Sequence, residues 1–333
     1  MEKLKLGIIG LGGISQVVHL PIFSKLKNVS IQAVAEVNKN RLLAVGEKFN
    51  IAKRFTDYNE LLKEANIDAV IIATPTSTHH EISIAALKAG KHIFVEKPIA
   101  RNFQEAKAIN DLAEKNKLLA FVGMNLRFRP DAMLIKSLIN SGELGNIFYI
   151  RCNWYRKQSS SEKWFMRKDQ SGGGVLIDLG VALLDLATWF LDFPDLDSVT
   201  VKTFNLNTKG VEDSAVGFIK FKNQSVISFE VSWSLDSDED SLRLRAFGKN
   251  GTAHLNPIRV YKRLQGEIVD YSPTSSVNTK NMYKKSYENE LKHFIGAIIG
   301  NNPVQSSSKD ALRRMQMLEA IYKSAEENRE IKL

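Results

Sequence analysis

The stretch LKLGIIGLGGIS, residues 4–15, decides the fold of this chain. It opens with the apolar run LKLGII, whose length and composition are typical of a buried strand. The strand ends in GLGGIS, and a helical pattern follows. Gly10 permits a tight turn there, and Gly12 lets the backbone come close to a pyrophosphate at the helix N-terminus. The stretch therefore predicts the first strand, turn and helix of a dinucleotide-binding domain.

The same alternation continues to about residue 123. Buried strands are predicted at LKLGII, IQAVAEV, AVIIAT, KHIFVE and LLAFVG, and helices at 41–49, 59–65, 79–89 and 102–116. Strands separated by helices require right-handed crossovers and give a parallel sheet that is covered on both faces. The fold class is therefore α/β, with a doubly wound Rossmann domain over residues 1–123.

The pattern changes in the rest of the chain, residues 124–333, which we expect to form a substrate-binding and oligomerisation domain. Longer runs that alternate polar with apolar residues predict strands at IFYIRCNWYR, SVTVKTFNL, EDSAVGFIKF, SVISFEVSWSL, SLRLRAFGK and TAHLNPIRVYKR. Helices are predicted at 174–192, 286–300 and 308–326, and the last two are expected to pack back toward the N-terminal domain. These patterns predict an α+β domain with a large, mainly antiparallel open sheet.

Composition narrows the function classes. The 333 residues are 44% hydrophobic and 25% charged, which suits two domains with sizeable cores. The net charge of +9 comes from Lys and Arg spread along the chain, so we expect an anionic small molecule rather than nucleic acid as the partner. The single cysteine, Cys152, fits a reducing compartment.

No membrane or export segment is predicted. The first apolar run passes into a helical pattern without a small-residue cleavage site. The longest apolar stretch, 175–193, is interrupted by three aspartates, so it falls short of the roughly 20 apolar residues of a membrane helix. We therefore expect a cytoplasmic protein, and no metal site is predicted.

Two further motifs fit a dinucleotide. Glu36 follows the second strand, where an acid can accept hydrogen bonds from the adenine-ribose hydroxyls and repel a 2′-phosphate, which favours NAD. Asn38, Lys39 and Arg41 come next and can accommodate that phosphate, so NADP stays open. ATPTSTHHE, residues 73–81, follows the fourth strand, where Thr74 and Pro75 would support the nicotinamide ribose and His79 would contact the cofactor or the substrate rim.

The most specific motif is AGKHIFVEKP, residues 89–98, at the fifth strand. With the preceding motifs in the same order, the chain resembles the glucose-fructose oxidoreductase, inositol dehydrogenase and rhizopine-catabolism (Gfo/Idh/MocA) family of NAD(P)-dependent oxidoreductases. The resemblance implies a cis peptide before Pro98, a substrate-facing Lys97, and a Glu96 that positions the cofactor. The expected cofactor-binding residues are Gly10, Gly12, Gly13, Ile14, Glu36, Thr74, Pro75, His79, Glu96 and Lys97.

GGGVLIDLGVALLDL, residues 172–186, is similar to a second signature of that family. Members that oxidise sugars or polyols usually carry a histidine where this chain has Ala182. Asp178 is kept, one helical turn earlier. It would bind a substrate hydroxyl, hold Lys97 or act as the base, unless it only stabilises the amides of the helix start. Lys97 and Asp178 are the expected catalytic residues, whereas Asp185 is expected to be structural.

The loss of imidazole leaves the proton carrier open. Lys97, Tyr155, Tyr283 and His79 are the candidates to replace it. Tyr155 and Trp164 would also line a sugar site, or else pack in the sheet, and Tyr283 completes the substrate-binding candidates.

The leading hypothesis is a dehydrogenase that transfers hydride between NAD(P) and a hydroxyl or carbonyl carbon of a sugar, polyol or inositol-like substrate. The absence of the histidine keeps two alternatives open: a catalytically impaired sensor that binds the dinucleotide, or a glycosidase that uses NAD transiently. A homodimer or homotetramer is expected, because an open sheet needs cover on its second face and the family commonly pairs such sheets.

Overall fold

The computed structural model describes residues 3–64, 66–157, 163–234, 240–273 and 279–333. The chain forms two compact units. The first contains Met1–Met124 and Tyr287–Leu312, and the second contains Asn125–Ser286 and Arg313–Leu333. Each is described by itself below.

The first unit contains a six-stranded sheet in the order β3-β2-β1-β4-β5-β6. The strands are β1 (Leu4–Ile9), β2 (Val29–Ala35), β3 (Lys53–Phe55), β4 (Ala69–Ile72), β5 (His92–Val95) and β6 (Ala120–Val122). The helices are α1 (Leu20–Phe23), α2 (Lys39–Lys48), α3 (Tyr58–Leu62), α4 (Thr76–Lys88) and α5 (Phe103–Asn116). All five strand pairs are parallel, which confirms the Rossmann prediction.

The strand order reverses beside β1, the central strand. In such sheets a ligand binds at the carboxyl ends of the strands next to the reversal. The turn after β1 is therefore the expected nucleotide position. Residues 306–307 also belong to this unit, because Val122 N–H donates to the Ser306 carbonyl and the Ser306 hydroxyl donates to the Val122 carbonyl.

The second unit contains a nine-stranded sheet in the order β14-β13-β12-β11-β7-β10-β9-β8-β15. Its strands are β7 (Ile147–Tyr155), β8 (Leu196–Phe204), β9 (Ser214–Phe221), β10 (Val226–Ser232), β11 (Ser241–Gly248), β12 (Gly251–Leu255), β13 (Arg259–Leu264), β14 (Glu267–Asp270) and β15 (Ile331–Lys332). Only the pair β7–β10 is parallel among the described strands. The mainly antiparallel sheet is therefore confirmed.

The helices after β6 are α6 (Pro130–Asn140), α7 (Lys168–Ser171), α8 (Val181–Phe190), α9 (Thr279–Ile298) and α10 (Ser308–Glu327). One π-helical turn, Leu176–Gly180, leads into α8. The segment Lys168–Phe190 is long and apolar enough to cross a membrane by composition alone, but its apolar window is completely buried in the protein. It is thus a core segment that packs on β7.

One predicted strand was wrong. TAHLNPIRVYKR, residues 252–263, is the hairpin of β12 and β13 rather than a single strand. Asn256 has a φ of 59°, in the left-handed region that ends a strand. Pro257 follows and has no N–H to donate to a neighbouring strand, so the chain turns there.

Candidate functional site

The turn after β1 is shaped by four small residues. Gly10 has a φ of +91°, and a Cβ there would lie 2.5 Å from the Ala73 carbonyl oxygen, so only glycine fits. A Cβ on Gly12 or Gly13 would meet no atom within 4 Å. The Ser15 hydroxyl donates to the Gly10 carbonyl at 2.7 Å, so serine replaces the usual third glycine without loss. The open backbone over Gly12 and Gly13 fits a pyrophosphate.

Glu36 is tied to the same turn. Its side chain is 7% exposed, and it accepts hydrogen bonds from the Leu11 N–H at 2.9 Å and the Asn38 N–H at 3.0 Å. Arg41 lies 3.4 Å from the Glu36 Oε2 atom. The Glu36 carboxylate partly neutralises the Arg41 guanidinium group. Arg41 would therefore attract a 2′-phosphate less strongly than an unpaired arginine would.

His79 links the loops after β4 and β5. Its Nε2 lies 2.9 Å from the Thr74 carbonyl oxygen and its Nδ1 lies 2.8 Å from the Pro98 carbonyl oxygen. Burial lowers the pKa of His79 below its usual value, although both carbonyls oppose that shift. The side chain is 1% exposed, so His79 fixes the position of Thr74 and Pro98 rather than presenting a face to a ligand.

The Glu96-Lys97-Pro98 segment follows β5, and its Lys97–Pro98 peptide is cis. His19 Nε2 lies 2.9 Å from Glu96 Oε1. Burial alone would raise the pKa of the Glu96 carboxyl, but the hydrogen bond from His19 and the charge of Lys97 hold it below its usual value. Gly123 makes room for Glu96, because a Cβ there would lie 3.2 Å from Glu96 Oε2. Glu96 is therefore a fixed anion beside Lys97.

In the second unit, the three glycines serve three different purposes. Gly172 has a φ of +89° and ends α7. A Cβ on Gly173 would lie 1.9 Å from the Tyr322 hydroxyl, and one on Gly174 would lie 1.9 Å from the Glu212 carbonyl oxygen. The Glu212 carboxylate accepts hydrogen bonds from the N–H groups of Gly174 and Leu176 and from the Tyr322 hydroxyl. The glycines thus bring the start of the π-helical turn against the backbone of Glu212, just before β9.

Asp178 lies in that turn and is 3% exposed. Trp233, just after β10, donates from its indole Nε1 to Asp178 Oδ2 at 3.2 Å. The Trp233 ring packs on Phe165 at 5.5 Å, and Phe165 packs edge-on against Trp164 at 5.3 Å. The structure therefore places the predicted substrate residue Trp164 in one aromatic cluster with the partner of Asp178. Ala182 is buried in α8, 3% exposed.

The other two predicted substrate residues lie elsewhere in the second unit. Tyr155 alternates along β7 with the buried Trp154, so it lies on the sheet face opposite the core, and its hydroxyl donates to Glu230. Burial and the Glu230 carboxylate raise the pKa of Tyr155, so its hydroxyl keeps its proton at neutral pH. Tyr283 is 49% exposed on α9.

Asp185 forms structural ion pairs with two arginines, in agreement with the structural role expected from the sequence. It is completely buried and accepts hydrogen bonds from Arg127 at 2.6 and 2.7 Å and from Arg314 at 2.6 Å. Among the described residues, no cluster of three or more His, Cys, Asp or Glu side chains that could hold a metal ion is present.

Two family models match consecutive parts of the chain. The oxidoreductase family NAD-binding Rossmann fold matches residues 4–124, and the oxidoreductase family C-terminal alpha/beta domain matches residues 136–333. The chain belongs to the Gfo/Idh/MocA oxidoreductase family. It is a dehydrogenase of this NAD-dependent family, and the predicted cofactor NAD is confirmed.

Relatives with named activities match this chain along nearly its whole length. It is 28% identical to a D-glucoside 3-dehydrogenase of Escherichia coli (strain K12), with 100% of this chain and 98% of the relative covered. It is also 28% identical to a myo-inositol 2-dehydrogenase of Thermotoga maritima, with 99% and 98% covered. The structure of a levoglucosan dehydrogenase in complex with NADH shares its fold, with a TM-score of 0.89, 23% identity and 99% of both chains covered.

Sequence reasoning missed three residues of the candidate site: His19, Glu212 and Trp233. His19 acts through the predicted Glu96 and Trp233 through the predicted Asp178, at separations of 77 and 55 positions. Glu212 acts through the first amides of the π-helical turn and lies 36 positions from Leu176. His19 lies on the helical segment that opens at the glycine turn, which is the one signal that could have pointed to it. Nothing local in the sequence marks the other two.

Proposed function

We propose that the protein oxidises a hydroxyl-bearing carbon of a sugar, polyol or inositol-like compound and reduces the carbonyl in the reverse direction. The observation that carries this proposal is the position of the Glu96-Lys97-Pro98 segment, which His79 links to Thr74 at the carboxyl edge of the sheet. This edge lies beside the open backbone of Gly12 and Gly13. Lys97 directly follows Glu96, one of the residues proposed to position the nicotinamide cofactor.

In the proposed reaction the cofactor takes the hydride, and side chains of the protein take the proton. NAD, when bound, accepts a hydride from the substrate carbon. Lys97 and Asp178 are the groups at the reacting centre, and they bind the substrate hydroxyl and take up its proton. Ala182 has no titratable group, and Tyr155 holds its proton firmly. The ring of His79 is engaged by two carbonyls. These facts favour Lys97 and Asp178 over Tyr155 and His79.

The remaining cofactor residues have matching roles in the proposal. Gly10, Gly12, Gly13 and Ile14 hold the pyrophosphate, Glu36 binds the adenine ribose, and Thr74 and Pro75 support the nicotinamide ribose. The Glu36 carboxylate repels a 2′-phosphate, and Arg41 is already paired with this carboxylate. We therefore expect NADH to bind more tightly than NADPH. The single buried thiol of Cys152 agrees with a cytoplasmic, reducing environment.

The test combines cofactor titration with turnover. Fluorescence titration with NADH and NADPH should give saturable binding, tighter for NADH. NAD reduction is then followed at 340 nm over D-glucosides, inositols and other polyols, the compound classes that the relatives' names indicate. Lys97→Ala and Asp178→Asn should each lower kcat by about 10² to 10⁴, the usual contribution of a positioned acid or base.

Lys88→Ala is the matched control, because Lys88 is an exposed lysine at the end of α4 in the same unit as Lys97. It should leave kcat unchanged. A protein that binds neither dinucleotide would refute the proposal. Full activity of both Lys97→Ala and Asp178→Asn would refute the assigned reacting centre while leaving the dehydrogenase reaction standing.

One observation favours a second candidate. Ala182 stands where an imidazole is usual in the family, and a chain that binds NAD and a sugar without turnover would act as a sensor. In that case the titration would show cofactor binding and a sugar would change the NADH fluorescence, yet no compound of the panel would reduce NAD.

A further inference from the structure

A buried hydrogen bond joins the segment after the glycine turn to the end of β5 in the first unit. The π-helical segment Ser15–His19 begins just after that turn, and His19 is its last residue. The His19 side chain is completely buried, and its Nε2 lies 2.9 Å from Glu96 Oε1. Insertions of the π-helical kind are frequent at functional sites. The segment that begins beside the proposed pyrophosphate position therefore ends on the carboxylate that precedes Lys97.

The His19 ring lies against an apolar aromatic cluster of the same unit. It packs edge-on against Phe94, with ring centroids 5.7 Å apart. Phe94 in turn packs on Phe121 at 5.5 Å and on Phe294 at 5.4 Å. Hydrogen bonds and charges act more strongly in such surroundings than in water, because little polar material screens them. The packing holds the imidazole in one orientation, and its bond to Glu96 is poorly screened.

The hydrogen bonds of His19 indicate which ring nitrogen carries the proton. A carboxylate only accepts hydrogen bonds, so Nε2 is the donor to Glu96. Nδ1 is buried and has no hydrogen-bond partner within the part of the chain that the structure describes. A second proton, on Nδ1, would create a charged and buried N–H without an acceptor, which is costly. His19 is therefore a neutral donor, and the negative charge of Glu96 is not cancelled by it.

Glu96 lies two strands away from the glycine turn along the carboxyl edge of the sheet. In the order β1-β4-β5, the end of β4 lies between them, and a Cβ on Gly10 would lie 2.5 Å from the Ala73 carbonyl oxygen. Two strand spacings amount to about 10 Å. The proposed function places the pyrophosphate at the end of β1 and the nicotinamide ribose at the end of β4. The nicotinamide ring then belongs near the end of β5, where the Glu96 side chain is 14% exposed.

We propose that His19 is a positioning residue, which holds Glu96 so that this carboxylate favours the oxidised nicotinamide over the reduced one. This role rests on the proposed function, which places the nicotinamide ribose on Thr74 and Pro75. The oxidised ring carries one positive charge more than the reduced ring, so a fixed anion beside it stabilises the oxidised form. A preference of this kind would also assist the release of NADH after a substrate is oxidised.

The titratable groups around Glu96 are His19 from the π-helical segment, Lys97 from the same loop and His79 from α4. Burial would raise the pKa of Glu96 above its usual value of 4.5, but the hydrogen bond from His19 and the charge of Lys97 hold it lower. Burial lowers the pKa of His79 below 6.5, so His79 stays neutral above that pH. Without the bond from His19, the effect of burial would dominate and Glu96 would take up a proton more readily.

The test compares the Kd of NADH, from fluorescence titration, with the Kd of NAD, from competition against NADH, between about pH 6.5 and about pH 8.5. No substrate is needed, so the absence of turnover would be a separate result that bears on the proposed reaction alone. The ratio of the two Kd values should be constant for the unmodified protein, because Glu96 stays ionised over this range. Glu96→Gln should shift the ratio toward NADH about tenfold or more, the effect of one unit charge at roughly 10 Å in a protein.

Three substitutions of His19 separate its hydrogen bond from its packing. His19→Phe keeps a ring against Phe94 but removes the donor. Its Kd ratio should match that of the unmodified protein at about pH 8.5 and move toward that of Glu96→Gln at about pH 6.5. His19→Asn should show the same pH dependence, because its amide is too short to reach Glu96. His19→Gln is one carbon longer, offers an N–H₂ donor near the former Nε2 position and should keep the ratio constant.

The matched control is Glu114→Gln. Glu114 is an exposed carboxylate near the C-terminal end of α5, and this end leads to the start of β6, away from the carboxyl edge of the sheet. Both Kd values should stay unchanged in this variant, since solvent and salt screen an exposed charge at such a distance.

Three results would overturn the proposal. One is a Kd ratio for Glu96→Gln equal to that of the unmodified protein, because the carboxylate would then lie away from the nicotinamide. Another is a ratio that stays constant with pH in His19→Phe and His19→Asn. The third is an equal change of both Kd values at every pH in these two variants, which would mean that His19 only supports the fold. Circular dichroism confirms folding, and since the two replacements differ in size, a folding defect in one leaves the other as the test.

Discussion

At the residue scale, the candidate substrate side depends on two side chains that no motif contains. Trp233 donates to Asp178, and Glu212 accepts from the first amides of the π-helical turn. Glu212 lies just before β9 and Trp233 just after β10, both far along the chain from the turn, and no local pattern marks either residue. Asp178 was predicted because a local pattern surrounds it, whereas its partners are set by tertiary pairing that a local pattern does not encode.

The hydrogen bond from Trp233 should hold the Asp178 carboxylate in one orientation. Trp233→Phe keeps an aromatic ring against Phe165 but removes the Nε1–H donor. Hydrogen bonds to charged groups contribute about 1.5 to 3 kcal/mol, so kcat on the best substrate should fall by about tenfold or more. The Kd for NADH should stay unchanged, because no cofactor residue is touched.

The control for this prediction is Trp189→Phe. Trp189 packs on Phe190 and under Lys136, with contacts made through its ring face. That variant should retain kcat. Equal losses of activity in the two variants would mean that tryptophan packing, rather than the bond to Asp178, supports turnover.

Glu212 gives a prediction about pH. Burial raises the pKa of this carboxyl above its usual value of 4.5, although the amides of Leu176 and Gly174 and the Tyr322 hydroxyl oppose the shift. A raised pKa in the folded state means that the protein loses stability as the pH rises above about 4.5. Glu212→Gln keeps an acceptor oxygen without this charge. The free energy of unfolding of Glu212→Gln relative to that of the unmodified protein should therefore increase as the pH rises from about 4.5 toward neutral.

Urea unfolding of both proteins across this pH range measures the difference. Glu212→Ala serves as the comparison, because it leaves the donors of Gly174, Leu176 and Tyr322 without their acceptor and should cost about 2 to 5 kcal/mol at every pH. A difference between Glu212→Gln and the unmodified protein that did not vary with pH would contradict the raised pKa.

At the element scale, the sequence predicted the six-stranded parallel sheet better than the nine-stranded sheet. Strands such as LKLGII and AVIIAT are short, apolar and followed by helices, and each of these features is local. The parallel pairing of β7 with β10 joins strands about 70 residues apart, and no local feature signals it. Helix α6, strand β3 and strand β14 were not predicted either, because their patterns are short or weak.

The π-helical turn changed the interpretation of the glycine signature. Seven residues separate Asp178 from Asp185, a spacing that places both on one face of a regular α-helix. A π-turn holds one more residue than an α-turn, which rotates the following residues by roughly 100°. Asp178 accordingly bonds to Trp233 after β10, whereas Asp185 bonds to Arg127 and Arg314.

The contact between Gly174 and the backbone of Glu212, just before β9, predicts a strong effect of Gly174→Ala. The added Cβ would lie 1.9 Å from the Glu212 carbonyl oxygen, which is backbone that has little freedom to move. Forcing an atom into such a contact typically costs about 1 to 3 kcal/mol, and we expect the upper end. Urea unfolding should show this loss.

Gly180→Ala is the matched control within the same turn. Its Cβ would lie 3.3 Å from a flexible Leu176 methyl group, and alanine favours helices by about 1 kcal/mol over glycine. The two effects should nearly cancel. Similar losses of stability in both variants would show that the close contact of Gly174 with the Glu212 backbone is not what requires glycine.

At the scale of the whole molecule, the nine-stranded sheet has one face buried by its own unit and one face that is more open. Val216 and Phe218 on β9 are 45% and 37% exposed on the open face. Tyr149 and Phe247 stack at 5.2 Å on neighbouring strands of the same face. Exposed apolar side chains grouped on a sheet are typical of an interface. We therefore expect a second copy of the chain to cover this face, as a dimer or tetramer.

The measurement is the molar mass in solution by light scattering, which should be twofold or fourfold that of the 37.4 kDa chain. Val216→Glu combined with Phe218→Glu should give a monomer, because two buried carboxylates in each copy would cost several kcal/mol at the interface. The control pair is Val17→Glu with Val37→Glu, two valines of the first unit that are 77% and 85% exposed. It adds the same charge and should leave the assembly intact. A monomer mass for the unmodified protein would contradict the expectation, and so would an assembly that survives the change on β9, since its interface would then lie on another surface.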